Sequence, residues 1–511
     1  MTFMGMRVHP CLHGLRPGNG ANVMTSPNTN TAGDALSGEG HPPTSSVLST
    51  LTRPARAIAR QRVVQYGVAM ALLPIAFATM ILTGKTQPMH PMEPPAYNDE
   101  PWSSVAAPPN DPERKTVVVL SSAFGAEITD LLPPYEVLAG AGRFNTYVLA
   151  PERHPLPLVN GNMHATSLDL VPHYSFEEYA RSVGVTPDLI AIPWFPAYTA
   201  ERDRAVLDWI KANAGPETLL LTICAGTEIL ADTGLLAGRT ATTNVAWFAK
   251  LKDRSPTTTW VLDVRYHDDG RVITSTNLAS GIDASLRAVE RLSDRATAEA
   301  VAARLGYRHT RYLDDPASAP PAVMRNLAPL AFAAAFGGAR EDVGVLVADG
   351  VSEVAIAGIL DLNSASYAAR VFAVADAATP VVSRNGLTLL ARWDVGTAPT
   401  LDHVVLPAGD ATPDRAALLQ AWDARHPTTP ARTIHASVGE GEAAYQATLR
   451  DLAEREGASV AAAAGRVMFY PVDDLDFASG GHPAPAIAAA ALTSVAGAAS
   501  VGFIRRARRI R

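Results

Sequence analysis

Cys224 lies at an abrupt change of sequence pattern and is the side chain best placed to do chemistry. An apolar run, Leu219–Ile223, ends at Cys224, and small residues lead into a helix-like segment, Thr227–Leu236. This pattern predicts a strand, a tight turn and a helix, as in the nucleophile elbow of α/β-hydrolases. A thiol there projects from the carboxyl end of a strand and meets a helix N-terminus, which favours the thiolate. The alternative is a buried structural cysteine, since free cysteines are often core residues.

A cysteine enzyme needs a neighbouring acid–base group and donors for developing negative charge. The backbone N–H groups of Ala225 and Gly226, which follow Cys224, could supply part of the second requirement. No Cys/His set with metal-ligand spacing and no glycine-rich phosphate loop is visible. We therefore expect no metal and no cofactor.

The order of the elements around Cys224 predicts the fold class. From Lys115 to Leu292, buried-strand runs alternate with helical segments, which indicates an α/β fold with a parallel sheet covered by helices. The chain has 511 residues, 47% of them hydrophobic, enough for two or three domains. Its net charge of -7 gives no reason to expect a nucleic-acid partner. With only Cys11 and Cys224 present, a disulfide framework is excluded.

Three separated segments carry a family resemblance. They are GAEITDLLPPYEVL (Gly125–Leu138), TICAGTEILADTGLLAGRTATTN (Thr222–Asn244) and DGRVITSTNLASGIDASLRAVERL (Asp269–Leu292). In this order they resemble the DJ/PfpI superfamily of class I glutamine amidotransferase-like domains, especially isonitrile-hydratase-like proteins and the N-terminal domains of AraC-type regulators. The resemblance implies a flavodoxin-like three-layer sandwich. The AraC-type DNA-binding helices are not visible after Leu292.

The resemblance also implies roles for residues of the site. Asp130 matches the acidic residue that faces the family's cysteine, where it acts as acid–base on substrate or water; by itself it could equally cap a helix or lie on the surface. Three positions depart from the family. Ala225 replaces the His of PfpI-type proteases or the Thr of isonitrile hydratases, Trp194 stands where a glycine is usual, and Asn244 stands where many relatives have His. A Cys–His dyad therefore cannot form from the usual positions, and Trp194 would narrow the pocket.

The pattern of the first domain begins again near residue 342. Val343–Leu360 repeats its first strand and helix, and Leu401–Asp410 matches a later strand. We interpret this as a diverged tandem copy. In that copy, Ala355 stands for Asp130 and His435 for Cys224, so its chemistry would be lost and the copy is degenerate.

Two uncharged apolar segments, 63–84 and 483–504, are long enough to cross a bilayer. Basic clusters before the first and after the second predict a cell-membrane protein with both termini cytoplasmic and the folded domains extracytoplasmic. For the first segment, a buried helix or a cleaved signal peptide remains an alternative, and for the second segment a surface helix.

The predicted domain order is a disordered, basic-ended cytoplasmic tail (1–62), a transmembrane helix (63–84), a proline-rich stalk (85–114), a DJ/PfpI-like domain (115–310), a linker helix (311–340), a diverged DJ/PfpI-like domain (341–478), a second transmembrane helix (483–504) and a basic tail (505–511).

Three functions agree with these features. The first is a membrane-anchored binding or sensor protein with an altered cysteine site, whose expected partners are the membrane, an unknown small-molecule ligand and a second copy in a homodimer. The alternative is a cysteine-dependent hydratase or hydrolase that uses Cys224 and Asp130. A third is a relative of transcription regulators without the DNA-binding domain.

Overall fold

The computed structural model describes residues 90–97, 102–318, 323–336, 339–377, 379–434, 444–475 and 477, with residues 75, 76, 78, 79 and 82. The predicted tails at 1–62 and 505–511 lie outside the described residues, as does His435. We call residues 115–313 the first half and residues 323–475 the second half.

The first half alternates strands and helices, as the sequence predicts. Its strands are β1 (Lys115–Leu120), β2 (Ala126–Glu127), β3 (Phe144–Ala150), β4 (Leu156–Val159), β5 (Ala165–Val171), β6 (Tyr174–Ser175), β7 (Leu189–Ile192), β8 (Leu219–Thr222), β9 (Thr240–Ala241), β10 (Thr259–Trp260), β11 (Tyr266–Asp268) and β12 (Val272–Ser275). Its helices are α1 (Ile128–Gly140), α2 (Phe176–Ser182), α3 (Arg204–Asn213), α4 (Gly226–Asp232), α5 (Val245–Arg254), α6 (Ser280–Leu292) and α7 (Arg295–Arg304), before a 3-10 turn at Thr310–Leu313.

A seven-stranded sheet forms the centre of the first half, in the order β11-β12-β8-β7-β1-β3-β6. All neighbours pair in parallel except β11, which forms the predicted hairpin with β12. Strands β3, β7 and β8 are buried at every position, as apolar strands covered on both faces must be. The carboxyl ends of β7, β1 and β3 therefore lie side by side, where open α/β sheets bind ligands.

The second half carries a smaller parallel sheet. The strands of the second half are β13 (Glu341–Leu346), β14 (Ala369–Ala375), β15 (Val381–Val382), β16 (Thr388–Ala391), β17 (Trp393–Asp394), β18 (His403–Leu406) and β19 (Arg432–Thr433), of which all but β15 and β16 belong to this sheet. Its helices are α8 (Val323–Phe336), α9 (Glu353–Ala365), α10 (Pro413–Arg425), α11 (Ala444–Glu456) and α12 (Ala458–Val467). The strand order β17-β14-β13-β18-β19 places the first strand in the centre and the next one beside it, as β1 and β3 lie in the first sheet.

Helices α1 and α9 begin in the same way. Glu127 caps α1 by accepting a hydrogen bond from Asp130 N–H, and Ser352 caps α9 by accepting one from Ala355 N–H. Ala355 thus occupies the helical position that Asp130 occupies in α1. That residues 341–478 are a second copy of the family domain stays a prediction.

The two halves share a sheet and a helix–helix contact. Strands β5 and β16 pair antiparallel within a sheet ordered β15-β16-β5-β4-β2, so backbone hydrogen bonds join the halves directly. Helix α1 packs on α9. Glu136 of α1 is fully buried at this contact, where its carboxylate accepts hydrogen bonds from the Ser352 hydroxyl at 2.8 Å and from Val354 N–H at 2.6 Å.

The predicted flanking transmembrane helices are contradicted by the structure. Among the residues that it describes, no helix combines the length and the apolar character needed to cross a bilayer. Of the predicted span 63–84 only a few residues are described, and 483–504 lies wholly outside them. Charge and hydropathy alone led to the prediction, and neither shows that a continuous helix forms. The predicted membrane partner and the cell-membrane localisation with cytoplasmic termini lose their support with these helices.

Candidate functional site

Cys224 occupies the turn between β8 and α4 in a strained backbone conformation. Its φ is +55°, a left-handed value that non-glycine residues rarely adopt. Its N–H donates to the Ser275 hydroxyl at 3.1 Å, and its carbonyl accepts from the Thr227 hydroxyl at 3.3 Å. Gly226 permits the sharp turn, because a Cβ there would lie 2.1 Å from the Ile192 carbonyl oxygen. The predicted elbow is therefore present, with its strain held by hydrogen bonds.

The thiol of Cys224 is buried between two amides. Asn244 Nδ2 donates to Sγ at 3.1 Å, and Sγ lies 3.8 Å from Asn277 Oδ1, to which it can donate. The residue is 5% exposed. Burial raises the thiol pKa well above its ordinary value, and the negative charge of Asp130 raises it further. The hydrogen bond from the Asn244 amide opposes this shift. Cys224 is thus a neutral thiol at neutral pH.

Asp130 lies in the first turn of α1 with no exposed surface. Its Oδ2 accepts a hydrogen bond from Trp194 N–H at 3.1 Å, whereas Oδ1 has no partner among the described residues. Burial raises the pKa of this carboxyl well above its usual range, and the Trp194 N–H only partly offsets the effect. No hydrogen bond joins the Asp130 carboxyl to the Cys224 thiol in the described structure, and the two interact through charge.

Two further buried carboxyl groups surround Asp130, and the sequence reasoning missed both. Glu127 caps α1 and is 1% exposed; Asp361 of α9 is fully buried and accepts from the Thr129 hydroxyl at 2.7 Å and from Gly161 N–H at 2.9 Å. Burial and the charges of Asp361 and Asp130 raise the pKa of Glu127 well above its usual range. A protonated Glu127 can donate to Asp361 or to Asp130, so this carboxyl cluster (Glu127, Asp130 and Asp361) retains a proton.

Two backbone N–H groups, those of Ala225 and Gly226, were expected to stabilise developing negative charge, and both already have neighbours in the structure. Gly226 N–H already donates to the Ile223 carbonyl at 2.8 Å, whereas Ala225 N–H faces the Cys224 sulfur and lowers the thiol pKa. Trp194 is 7% exposed, and its ring meets the Trp247 ring edge-on with centroids 5.9 Å apart. The indole therefore packs in the wall beside the site.

A cavity of about 160 Å³ is lined in part by Asn244 and Asn277, whose side-chain amides contact Sγ. Its other walls come from both halves of the molecule. They include Gly161, Asn162 and Leu278 from the first half, and Ala365, Arg466, Val467 and Met468 from the second. Cys224 itself does not line this cavity, so a ligand held there would reach the thiol only after the Asn244 or Asn277 side chain moved.

The site contains acids, amides and a thiol. Within the described ranges, no group of three or more His, Cys, Asp or Glu side chains is arranged to hold a metal ion. With a neutral thiol beside a protonated carboxyl cluster, the site suits proton donation to a neutral molecule better than attack by a free thiolate.

Comparison with known proteins identifies the domain that carries this site. The DJ-1/PfpI family model matches residues 115–291. This segment is a DJ-1/PfpI domain. The match leaves the second half outside the family model.

Several named proteins are similar to part of this chain. The isonitrile hydratase of Pseudomonas putida is 28% identical over 199 residues, which cover 38% of this chain and 81% of that protein. Among solved structures, a DJ-1 superfamily protein from Salmonella typhimurium is 20% identical, over 38% of this chain and 98% of that one, with a TM-score of 0.32. An AraC family transcriptional regulator from Pseudomonas putida is 18% identical, over 37% and 97% of the two chains, with a TM-score of 0.30.

Proposed function

We propose that the DJ-1/PfpI domain binds a small neutral molecule beside Cys224 and hydrates it, as an isonitrile hydratase would. The observation that carries the proposal is a proton-retaining carboxyl cluster beside a thiol in a strained elbow. Strained backbone persists at functional sites when surrounding contacts hold it. The resemblance to an isonitrile hydratase supports the same chemistry.

Asp130 is the proposed proton donor, and it lies in a carboxyl cluster that retains a proton. An isonitrile is neutral and accepts a proton at its terminal carbon, which then becomes open to attack by a nucleophile. A buried acid with a raised pKa holds its proton at neutral pH and can give it up at that moment. Oδ1, the oxygen that does not accept the Trp194 hydrogen bond, is the atom from which the proton would leave.

The thiol completes the reaction in two steps. As Asp130 protonates the isonitrile carbon, Cys224 Sγ bonds to that carbon, and the thiol proton passes to the Asp130 carboxylate, which leaves a thioimidate. Water then adds across the carbon–nitrogen double bond, so that its oxygen bonds to the same carbon and one of its protons goes to the nitrogen. The carbon–sulfur bond breaks, the hydroxyl proton passes to the sulfur, and an N-substituted formamide leaves. The thiol is restored and Asp130 keeps the proton that it took from the thiol, so the sum is isonitrile plus water giving formamide.

The test uses the full chain with tert-butyl isonitrile and follows formation of N-tert-butylformamide by NMR. We expect turnover that is lost in Cys224→Ala and falls at least ~100-fold in Asp130→Asn, the range for a lost general acid. Asp208→Asn on the exposed face of α3 is the matched control and should leave turnover unchanged. Because the acid form exists only below its raised pKa, the rate should hold through acid and neutral pH and fall as the pH rises through that pKa.

A second candidate is binding or sensing without turnover, and the full burial of the thiol favours it. If the isonitrile raises the melting temperature of wild type but not of Asp130→Asn, while no formamide forms, the site is a binding site. Absence of both formamide and any shift in melting temperature would reject both candidates.

A further inference from the structure

A second cavity, of about 810 Å³, lies at the carboxyl edge of the main sheet. Its walls include loops that follow β1, β3 and β7, represented by Phe124, Pro155 and Arg202. None of the residues that line it is Cys224, Asp130 or Asn244. Its volume is within the range of small-molecule sites, and its place above three adjacent parallel strands is where such sheets bind ligands.

The proline-rich segment builds the remaining wall of this second cavity. Met92, Pro94, Tyr97 and Trp102 line it, so the described parts of the predicted stalk lie against the folded domain. The Tyr97 hydroxyl donates to Asp169 at 2.6 Å. These contacts hold the segment on the domain and leave the cavity pre-formed.

Hydrogen bonds also hold the later part of the proline-rich segment on the domain. Arg153 follows β3, and its guanidinium donates to the Ser103 carbonyl at 3.1 Å and to the Val105 carbonyl at 2.9 Å. Asp169, the partner of Tyr97, is itself fully buried and paired with Arg392 of the second half at 2.6 Å. The cavity wall is therefore anchored to both halves of the molecule.

The lining specifies a ligand class. Phe124 is 47% exposed, which is unusual for an aromatic ring, and the Arg202 guanidinium lies 4.3 Å from the centroid of that ring. Arg202 also donates to the Pro196 carbonyl at 2.5 Å and forms an ion pair with the buried Asp203 at 3.2 Å, while its Nη1 forms no hydrogen bond within the described residues and can meet a second anionic group. Ala197 in the same wall has a strained φ of +50°. A planar apolar group can stack on Phe124 while an anionic group meets the guanidinium.

We infer that the second cavity binds an aromatic anion: its ring packs on Phe124 among the prolines, and its anionic group pairs with Arg202. The exposed Glu93 on the same rim is in contact with water, which screens its repulsion of the anion. The inference is independent of the hydratase chemistry at Cys224, because the two sites share no residue.

The test is a fluorescence titration of the full chain with 8-anilinonaphthalene-1-sulfonate, an aromatic anion, and with the neutral N-phenyl-1-naphthylamine. We expect Phe124→Ala to weaken binding of both probes about tenfold, and Arg202→Gln to weaken only the anion. Ala96→Trp, at an exposed residue of the rim, should block both probes without unfolding the domain.

Matched controls lie on α2 and its flank. Val185→Ala alters another exposed apolar residue, 45% exposed, and Arg181→Gln another exposed arginine; neither should change the binding of either probe. Equal affinity in Phe124→Ala and Val185→Ala, or anion binding that survives Ala96→Trp, would overturn the inference. Loss of both probes in Arg202→Gln would overturn the assignment of the anion to that residue.

Discussion

At the scale of single residues, the chemistry depends on how Cys224 and Asp130 are buried. A helix N-terminus favours a thiolate, but the nearby carboxyl groups and the lack of solvent favour the thiol, and burial is the largest of these effects. The same burial keeps protons on the carboxyl cluster. The site therefore differs from thiolate enzymes with a neighbouring His, and its reactivity should depend on the acid.

Cys224 should react slowly with iodoacetamide at neutral pH, more slowly than in the urea-unfolded chain, because it is 5% exposed and its pKa is raised. Because Asp130 holds its proton at neutral pH, Asp130→Asn should leave this rate nearly unchanged there and should speed alkylation only at a pH above the raised pKa of Asp130, where the wild-type carboxylate is charged. Peptide mass mapping separates Cys224 from Cys11 and gives both rates. Alkylation of folded Cys224 as fast as in the unfolded chain would contradict the neutral, buried thiol.

At the scale of elements, helix α5 is the part of the site with the fewest buried residues. Only Leu251 of this helix is buried, yet its N-cap residue, Asn244, contacts the thiol. The helix is held by Glu228 of α4, whose buried carboxylate accepts from Trp247 Nε1 at 2.8 Å and pairs with Arg254 at 2.6 Å. Helix α4, which follows the elbow, is therefore tied to α5 through this carboxylate.

Glu228→Gln should loosen α5 and expose the thiol. The substitution weakens the ion pairs with Lys250 and Arg254. Because those two side chains are half exposed, the interaction free energy that is lost is about 1–2 kcal/mol. The expected results are faster alkylation of Cys224 and earlier proteolysis within α5. Glu290→Gln, on α6, also removes a charge paired with arginine and serves as the control. If the two variants alkylate at the same rate, Glu228 does not hold the helix.

At the scale of the whole molecule, charged pairs across the two halves stabilise their contact. Asp169 of β5 is fully buried and bonded to Arg392, which follows β16, through both carboxylate oxygens at 2.9 and 2.6 Å. Burial raises the pKa of Asp169, and the guanidinium counteracts that shift. The pair lies beside the β5–β16 hydrogen bonds, where the halves form one sheet.

Arg392→Met should destabilise the molecule by ~3–5 kcal/mol, because it leaves a buried carboxylate without its partner. Urea unfolding of the full chain measures the change. The double variant Asp169→Asn with Arg392→Met should recover part of the loss, since no buried charge then remains. A single variant as stable as wild type would show that the halves do not depend on this pair.

The sequence by itself determined the features encoded by short patterns. The apolar run before Cys224 and the small residues after it specify a strand–turn–helix elbow, and Asp130 was identified as its partner through the resemblance of its block to the family. The parallel α/β sheet followed from alternating strands and helices. The uncharged segments 63–84 and 483–504 led to transmembrane helices that the structure contradicts.

Only the tertiary structure decided which distant residues meet. Asp361 joins the carboxyl cluster from a helix of the second half, Asn277 reaches the thiol from the loop after β12, and Trp102 lines a cavity of the first half. These contacts depend on how α1 packs on α9 and how the proline-rich segment docks. Burial, which follows from that packing, then raises the pKa of Cys224 and of the three carboxyl groups of the cluster, and no local sequence pattern records it.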